Sequence, residues 1–230
     1  LVGVVGLPPA ATAHAEPLIQ PGAEVWGRSS ALGQFGPCTL NFVFRDANHT
    51  YIGGGARCLI EVGERAAIGG REFGTVVFHV LEVATLEESV THTAPADEFA
   101  LIRVDRSEVH RVSPVVLGLN FSPSGVKPSD QTNPGDLLFM TGQGVGFRQT
   151  STQHRAGALL SDNHRGFHAA IPAALGDGGA PVFDDSYNAF GVLSSSLNVN
   201  GPYGTTVERI LHLLDEAGFN VDLVTGYEAR

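Results

Sequence analysis

A chain of 230 residues, 43% hydrophobic and 17% charged, is long enough to bury a substantial core and fits one all-β unit of two sub-barrels. Its 14 basic residues against 24 acidic ones give a formal charge of -10, which argues against nucleic acid as a partner, since phosphate-backbone binders concentrate Lys and Arg. The 29 glycines and 13 prolines punctuate short apolar runs, a pattern of many turns rather than long helices.

Residues Leu1 to Leu7, followed by Pro8-Pro9 and Ala13-His14-Ala15 before Glu16, look like the tail of a secretory signal with an Ala-x-Ala cleavage site. The mature chain is then expected to begin near Glu16 and to be exported. A short apolar run in a lipoprotein or an unstructured arm is the alternative. No other stretch approaches the ~18 apolar residues that a membrane span needs.

The only two cysteines, Cys38 and Cys58, are free to pair in an exported protein, across an expected hairpin. Two buried free thiols are the alternative. Zinc is not expected, because a tetrahedral site needs two further ligands and no histidine stands at ligand spacing from either cysteine.

Runs rich in β-branched and aromatic residues follow in order: Asn41 to Phe44, Thr75 to Phe78, Phe99 to Val104, Val112 to Leu119, Leu137 to Met140, Ala180 to Phe183 and Phe190 to Leu193. Each is bounded by turn-forming residues and reads as a strand. Asp46-Ala47-Asn48 and Asp184 to Asn188 read as hairpin tips. The segment 120–134, with three prolines, reads as a crossover between halves spanning 24–119 and 135–226, within one domain over 16–230. Near the end, Val207, Ile210, Leu211, Leu214 and Ala217 recur at helical spacing. Thr205 with Glu208 suggests a capping box there, and Gly218 a C-terminal stop.

Three motifs in a fixed order carry a family resemblance. Gly176-Asp177-Gly178-Gly179-Ala180-Pro181-Val182 resembles the Gly-Asp-Ser-Gly-Gly-Pro-Val nucleophile loop of chymotrypsin-type serine proteases. Tyr51 to Cys58 and Asp97-Glu98-Phe99-Ala100-Leu101-Ile102 resemble the segments that carry that family's general-base His and orienting Asp. Residues 24–226 are similar to secreted actinobacterial trypsin-like members, and the cysteine pair falls where they place one. The resemblance implies an all-β fold of two six-stranded-type antiparallel barrels with a C-terminal α-helix. It also implies that the three triad positions fall on Arg57, Glu98 and Gly178, none of which matches the family.

Acyl transfer needs a nucleophile, a base titrating near neutrality and donors for the oxyanion. Gly178 has no side chain, and Arg57 remains protonated at any ordinary pH. The resemblance therefore implies a homologue without a working triad, in which Arg57 and Glu98 lie side by side and form an ion pair. If both instead face solvent at the cleft edge, the pair contributes nothing. Gly176 and Gly178 keep the backbone N–H groups of an oxyanion-type cradle, unless the glycines persist only for their backbone angles. Asp177 is expected to be buried against a cation that the sequence does not name.

Ser194-Ser195-Ser196 follow a strand that forms the substrate wall in the family, so they are candidate cleft-lining hydroxyls. His164 and His168, four apart around a glycine, are not expected to hold a metal, and His79 reads as a strand residue. His110 and His154 suit solvent exposure. The leading expectation is a secreted, inactive monomer that binds a peptide or protein without a cofactor. An active hydrolase using other residues is the alternative, and a structural domain without a cleft function is a third.

Overall fold

The structure is a computed structural model that describes residues 16–27, 37–82, 97–147, 153–195 and 202–226. The signal-like segment and Ser196 lie outside the described residues.

The first half contributes β1 (Glu24–Gly27), β2 (Cys38–Thr39), β3 (Val43–Arg45), β4 (Thr50–Gly54), β5 (Arg65–Ile68), β6 (Arg71–Leu81) and β7 (Glu98–Val104). The second contributes β8 (Leu137–Thr141), β9 (His154–Asp162), β10 (Gly166–Ala170), β11 (Pro181–Asp184), β12 (Ala189–Ser195) and β13 (Tyr203–Thr206), followed by α1 (Val207–Glu216) and β14 (Asp222–Leu223). The seven strands of the first half, joined by β14 from the end of the chain, form an open eight-stranded sheet in the order β14-β3-β4-β7-β6-β5-β1-β2. The second is a closed barrel, β10-β13-β12-β11-β8-β9. The expected two-barrel architecture is present, one half closed and the other an open half-barrel. No described helix is long and apolar enough to cross a membrane.

The elements follow from local chemistry. β5 alternates half-buried and buried residues, as a strand with one core-facing side must. The β3–β4 tip is fixed by Asp46, whose Oδ1 accepts from Asn48 N and His49 N at 2.6 and 2.7 Å and whose Oδ2 accepts from Tyr51 at 2.7 Å. Asp184 does the same for the β11–β12 tip, accepting from Ser186 N and Asn188 N at 3.0 and 2.8 Å.

Three apolar clusters hold the halves. One fills the first half around Leu40, Ile52, Phe73 and Ile102. Another fills the closed barrel around Met140, Phe167, Val182 and Phe190. The third joins the halves, with Phe42, Phe44 and Phe99 from the first meeting Phe183, Val192 and the buried face of α1 from the second. Val207, Ile210 and Leu214 make that face, each side chain contributing roughly 1.5–3 kcal/mol by leaving water.

Several expectations need correction. Val112 to Leu119 is not a strand: only Val112 is bridged, to Ile19, and Pro114 lacks the N–H that a ladder requires. The helix is capped by Thr206, whose hydroxyl accepts from Arg209 N at 3.2 Å, rather than by Thr205. The Glu208 carboxylate reaches Ser129 N at 3.1 Å instead of closing a capping box. Ala217 is exposed, while Gly218 does end the helix at φ +85°.

Candidate functional site at the seam of the two halves

Arg57 follows β4 in a short turn, and Glu98 opens β7, the neighbouring strand. The Arg57 Nε donates to Glu98 Oε2 at 2.9 Å, so the expected ion pair forms. Its two ends differ in exposure: the Glu98 side chain is fully buried and that of Arg57 is 36% exposed. Glu98 Oε1 is buried with no hydrogen-bond partner among the described residues. Burial pushes the Glu98 carboxyl up to about 7, and the attraction of Arg57 offsets only part of that cost. Arg57 is held above its ordinary value by Glu98 and by Tyr203, its own desolvation notwithstanding.

The neighbouring acid goes elsewhere, because successive side chains of an extended chain leave on opposite faces. Asp97 accepts from Arg165 at 2.8 Å and from Arg209 of α1 at 2.7 Å, tying the first half to the second. Of the two adjacent carboxylates, only Glu98 faces Arg57.

Gly178 lies in the loop before β11, close to Gly55, two residues before Arg57, and to the Cys38–Cys58 disulfide. A Cβ on Gly55 would stand 2.9 Å from the Gly178 carbonyl carbon. A Cβ on Gly178 would stand 3.5 Å from Cys38 Sγ and 3.8 Å from the Ser194 carbonyl oxygen, ordinary contact distances. Cys38 is bonded to Cys58, the residue after Arg57, with the Cα atoms 6.0 Å apart. The disulfide thus fastens β2 beside the turn that carries Arg57.

The loop itself is tightly held. Thr39 N donates to the Gly178 carbonyl at 2.9 Å, and the Thr39 hydroxyl donates to the Gly176 carbonyl at 2.9 Å. Asp177 is fully buried, and its cation is Arg155, a bidentate partner at 2.6 and 2.7 Å. Gly144 N and Ala174 N, both at 2.8 Å, complete the carboxylate's hydrogen bonding. A side chain at Gly142 or Gly144 would overlap that carboxylate.

Gly176 and Gly178 are half-buried, whereas Asp177 and Gly179 between and beside them are buried. The Leu175 carbonyl accepts from Val145 N at 2.7 Å and the Asp177 carbonyl from Ala180 N at 2.8 Å. A trans peptide points its N–H opposite its C=O, so the Gly176 and Gly178 N–H groups face away from those partners. Neither donates to an acceptor among the described residues.

Other candidates lie elsewhere. Ser194 does not line a cleft: it is 1% exposed, and its hydroxyl is 3.4 Å from that of Thr205, which in turn accepts from Glu98 N at 3.1 Å. It supports the Glu98 backbone from behind. The side chain of Ser195 is outside the described residues. His164 is exposed at a turn, while His168 is buried with its ring 5.9 Å from that of Tyr203. His79 is a strand residue whose Nε2 lies 3.1 Å from the Ala56 carbonyl, just behind Arg57. His110 is exposed; His154 is not, and its Nδ1 sits 3.0 Å from the Thr141 hydroxyl. A concavity of about 580 Å³ lined by Phe121, Phe139, His154 and Tyr187 is on the flank of the closed barrel, and none of Arg57, Glu98, Gly176 or Gly178 lines it.

Tyr203, 3.5 Å from Arg57 Nη2, and Arg155 are the site residues that sequence reasoning missed. Both come from polar or glycine-flanked strands whose pairing depends on barrel closure, so no local pattern marked them.

Solved serine proteases share this architecture. Thermobifida fusca protease A superposes with a TM-score of 0.61 at 20% identity, over 90% of this chain and 99% of that one. A glutamic acid specific serine protease that utilizes a histidine triad in substrate binding gives 0.60 at 16% identity, over 90% and 100%. The chymotrypsin of Cellulomonas bogoriensis gives 0.57 at 15%, over 90% and 99%. The sequence itself matches no protein-family model and no curated protein. The chain has the fold of the chymotrypsin-like serine proteases.

Proposed function

We propose that this is a secreted serine protease homologue that binds a peptide or protein in the seam between its halves and does not cleave it. The observation that carries the reading is the Arg57–Glu98 pair beside Gly178. A guanidinium replaces the base, a buried glutamate bound to it replaces the orienting acid, and a glycine with room for a side chain replaces the nucleophile. Without an attacking group and a base, such a scaffold retains only ~10³–10⁴-fold catalysis over water from its oxyanion donors and binding. The Cys38–Cys58 disulfide and the Ala13-His14-Ala15 sequence before Glu16 support export.

An active hydrolase with a displaced nucleophile would need an exposed hydroxyl next to a base. Ser194 is buried and its neighbour is the hydroxyl of Thr205, which opposes that alternative.

A serine-directed fluorophosphonate probe and a casein hydrolysis assay test the reading: neither labelling nor cleavage is expected, and covalent labelling at any serine would overturn it. The combined variant Arg57→His, Glu98→Asp, Gly178→Ser tests the register. Detectable esterase activity is expected, since the Gly178 position accepts a Cβ at 3.5 Å from its nearest neighbour.

A further inference from the structure

Three groups at the seam keep donor capacity that the described residues do not fill. Arg57 commits Nε to Glu98, reaches Tyr203 only at 3.5 Å through Nη2, and leaves more than a third of its side chain exposed. The N–H groups of Gly176 and Gly178, on half-buried residues, have no acceptor among the described residues. Gly55 against Gly178, and the disulfide between Cys38 and Cys58, hold the arginine turn and the glycine loop together. Among the described residues the carboxylates of the site are already engaged: Glu98 holds Arg57 Nε from the buried side, Asp97 is taken by Arg165 and Arg209, and Asp177 by Arg155.

A cation near unpaired backbone N–H donors suits a carboxylate, which has two oxygens with several lone pairs to fill. We infer that the seam is a receptor for the free C-terminal carboxylate of a peptide, one oxygen in the cradle of Gly176 and Gly178 and the other on the Arg57 guanidinium. The inference rests on the binding reading above and gives its ligand a chemical class. An internal peptide carbonyl would fill the cradle but bring no charge to the exposed side of the guanidinium, whose described partner, Glu98, lies on its buried side. A chain end, such as a protease leaves behind, satisfies both.

The test titrates the uniformly ¹⁵N-labelled protein with N-acetylglycine and, separately, with N-acetylglycinamide, which differs only in lacking the charged carboxylate. Saturable shifts of the Gly176 and Gly178 amide signals are expected with the acid, with the amide roughly tenfold weaker or more, the usual scale for loss of a charge-assisted hydrogen bond. Arg57→Gln should abolish the preference for the acid, and Arg57→Lys should keep part of it. Combining Arg57→Gln with Glu98→Gln leaves no buried charge unpaired and keeps the comparison interpretable if the single variant is unstable. Equal responses to acid and amide, an acid preference that survives Arg57→Gln, or no shift at either glycine with the acid would each overturn the inference. Those outcomes, in a protein that the fluorophosphonate leaves unlabelled, remove the carboxylate receptor alone. Labelling would instead remove the non-cleaving reading beneath it.

Discussion

Replacing Glu98 by Gln should change how stability depends on pH. Glu98 opens β7 with its side chain fully buried, one oxygen on Arg57 at 2.9 Å and the other without a hydrogen-bond partner among the described residues. In the unfolded chain its carboxyl has the ordinary value of 4.5, whereas in the fold desolvation raises it to about 7. A carboxyl raised on folding favours the folded state while it is protonated in both states. Its contribution is therefore complete below pH ~4.5 and is lost as pH rises through about 7. At ~1.4 kcal/mol per tenfold difference in proton affinity, the swing is about 3 kcal/mol. Arg57 stays charged throughout and adds no slope of its own. Urea denaturation of both proteins at intervals from pH 4 to 8 isolates this group, because every other titration is common to the two. The free energy of the parent relative to Glu98→Gln should fall by about 3 kcal/mol across that range, equivalent to roughly 6–12 °C in melting temperature for a chain of this size. Parallel curves would refute the argument, showing that Glu98 is solvated or ionised at little cost.

Arg155→Met should lower stability by about 3–5 kcal/mol in urea denaturation at pH 7, because it strands the fully buried Asp177 carboxylate without its bidentate partner. Gly178→Ala should be tolerated within about 1 kcal/mol. Gly179→Ala should cost about 1–3 kcal/mol, since its φ is +89° and the added Cβ would overlap the Thr39 carbonyl oxygen. Thermal melts of the two variants side by side measure the contrast. Replacing Cys38 and Cys58 together by Ala should remove about 3 kcal/mol, the loop-closure estimate for a separation of 20 residues, as read from denaturation under non-reducing conditions.

The sequence by itself determined the features that depend on neighbours along the chain. The two aspartate-closed hairpin tips, the amphipathic face of Val207, Ile210 and Leu214, and the stop at Gly218 are local events set by side-chain chemistry and period. The two-barrel fold and the meeting of Arg57 with Glu98 were anticipated through the resemblance of three short motifs, in their order, to chymotrypsin-type proteases, rather than from local chemistry. The sequence did not reveal β9 and β10, which are rich in His, Arg, Gly and Ala and acquire their ladders only when the barrel closes. Nor did it separate Thr205 from Thr206. One threonine hydroxyl accepts from Glu98 N 107 residues away, and the other caps the helix, a division made by which strand lies alongside. Only the tertiary structure decided that Arg155 is the partner of Asp177, that Ser194 is buried behind Glu98, and that the Glu98 carboxylate is dehydrated while Arg57 reaches solvent. These are consequences of burial and of contacts distant in sequence, and the free energy of a charge is set by what surrounds it rather than by what precedes it in the chain.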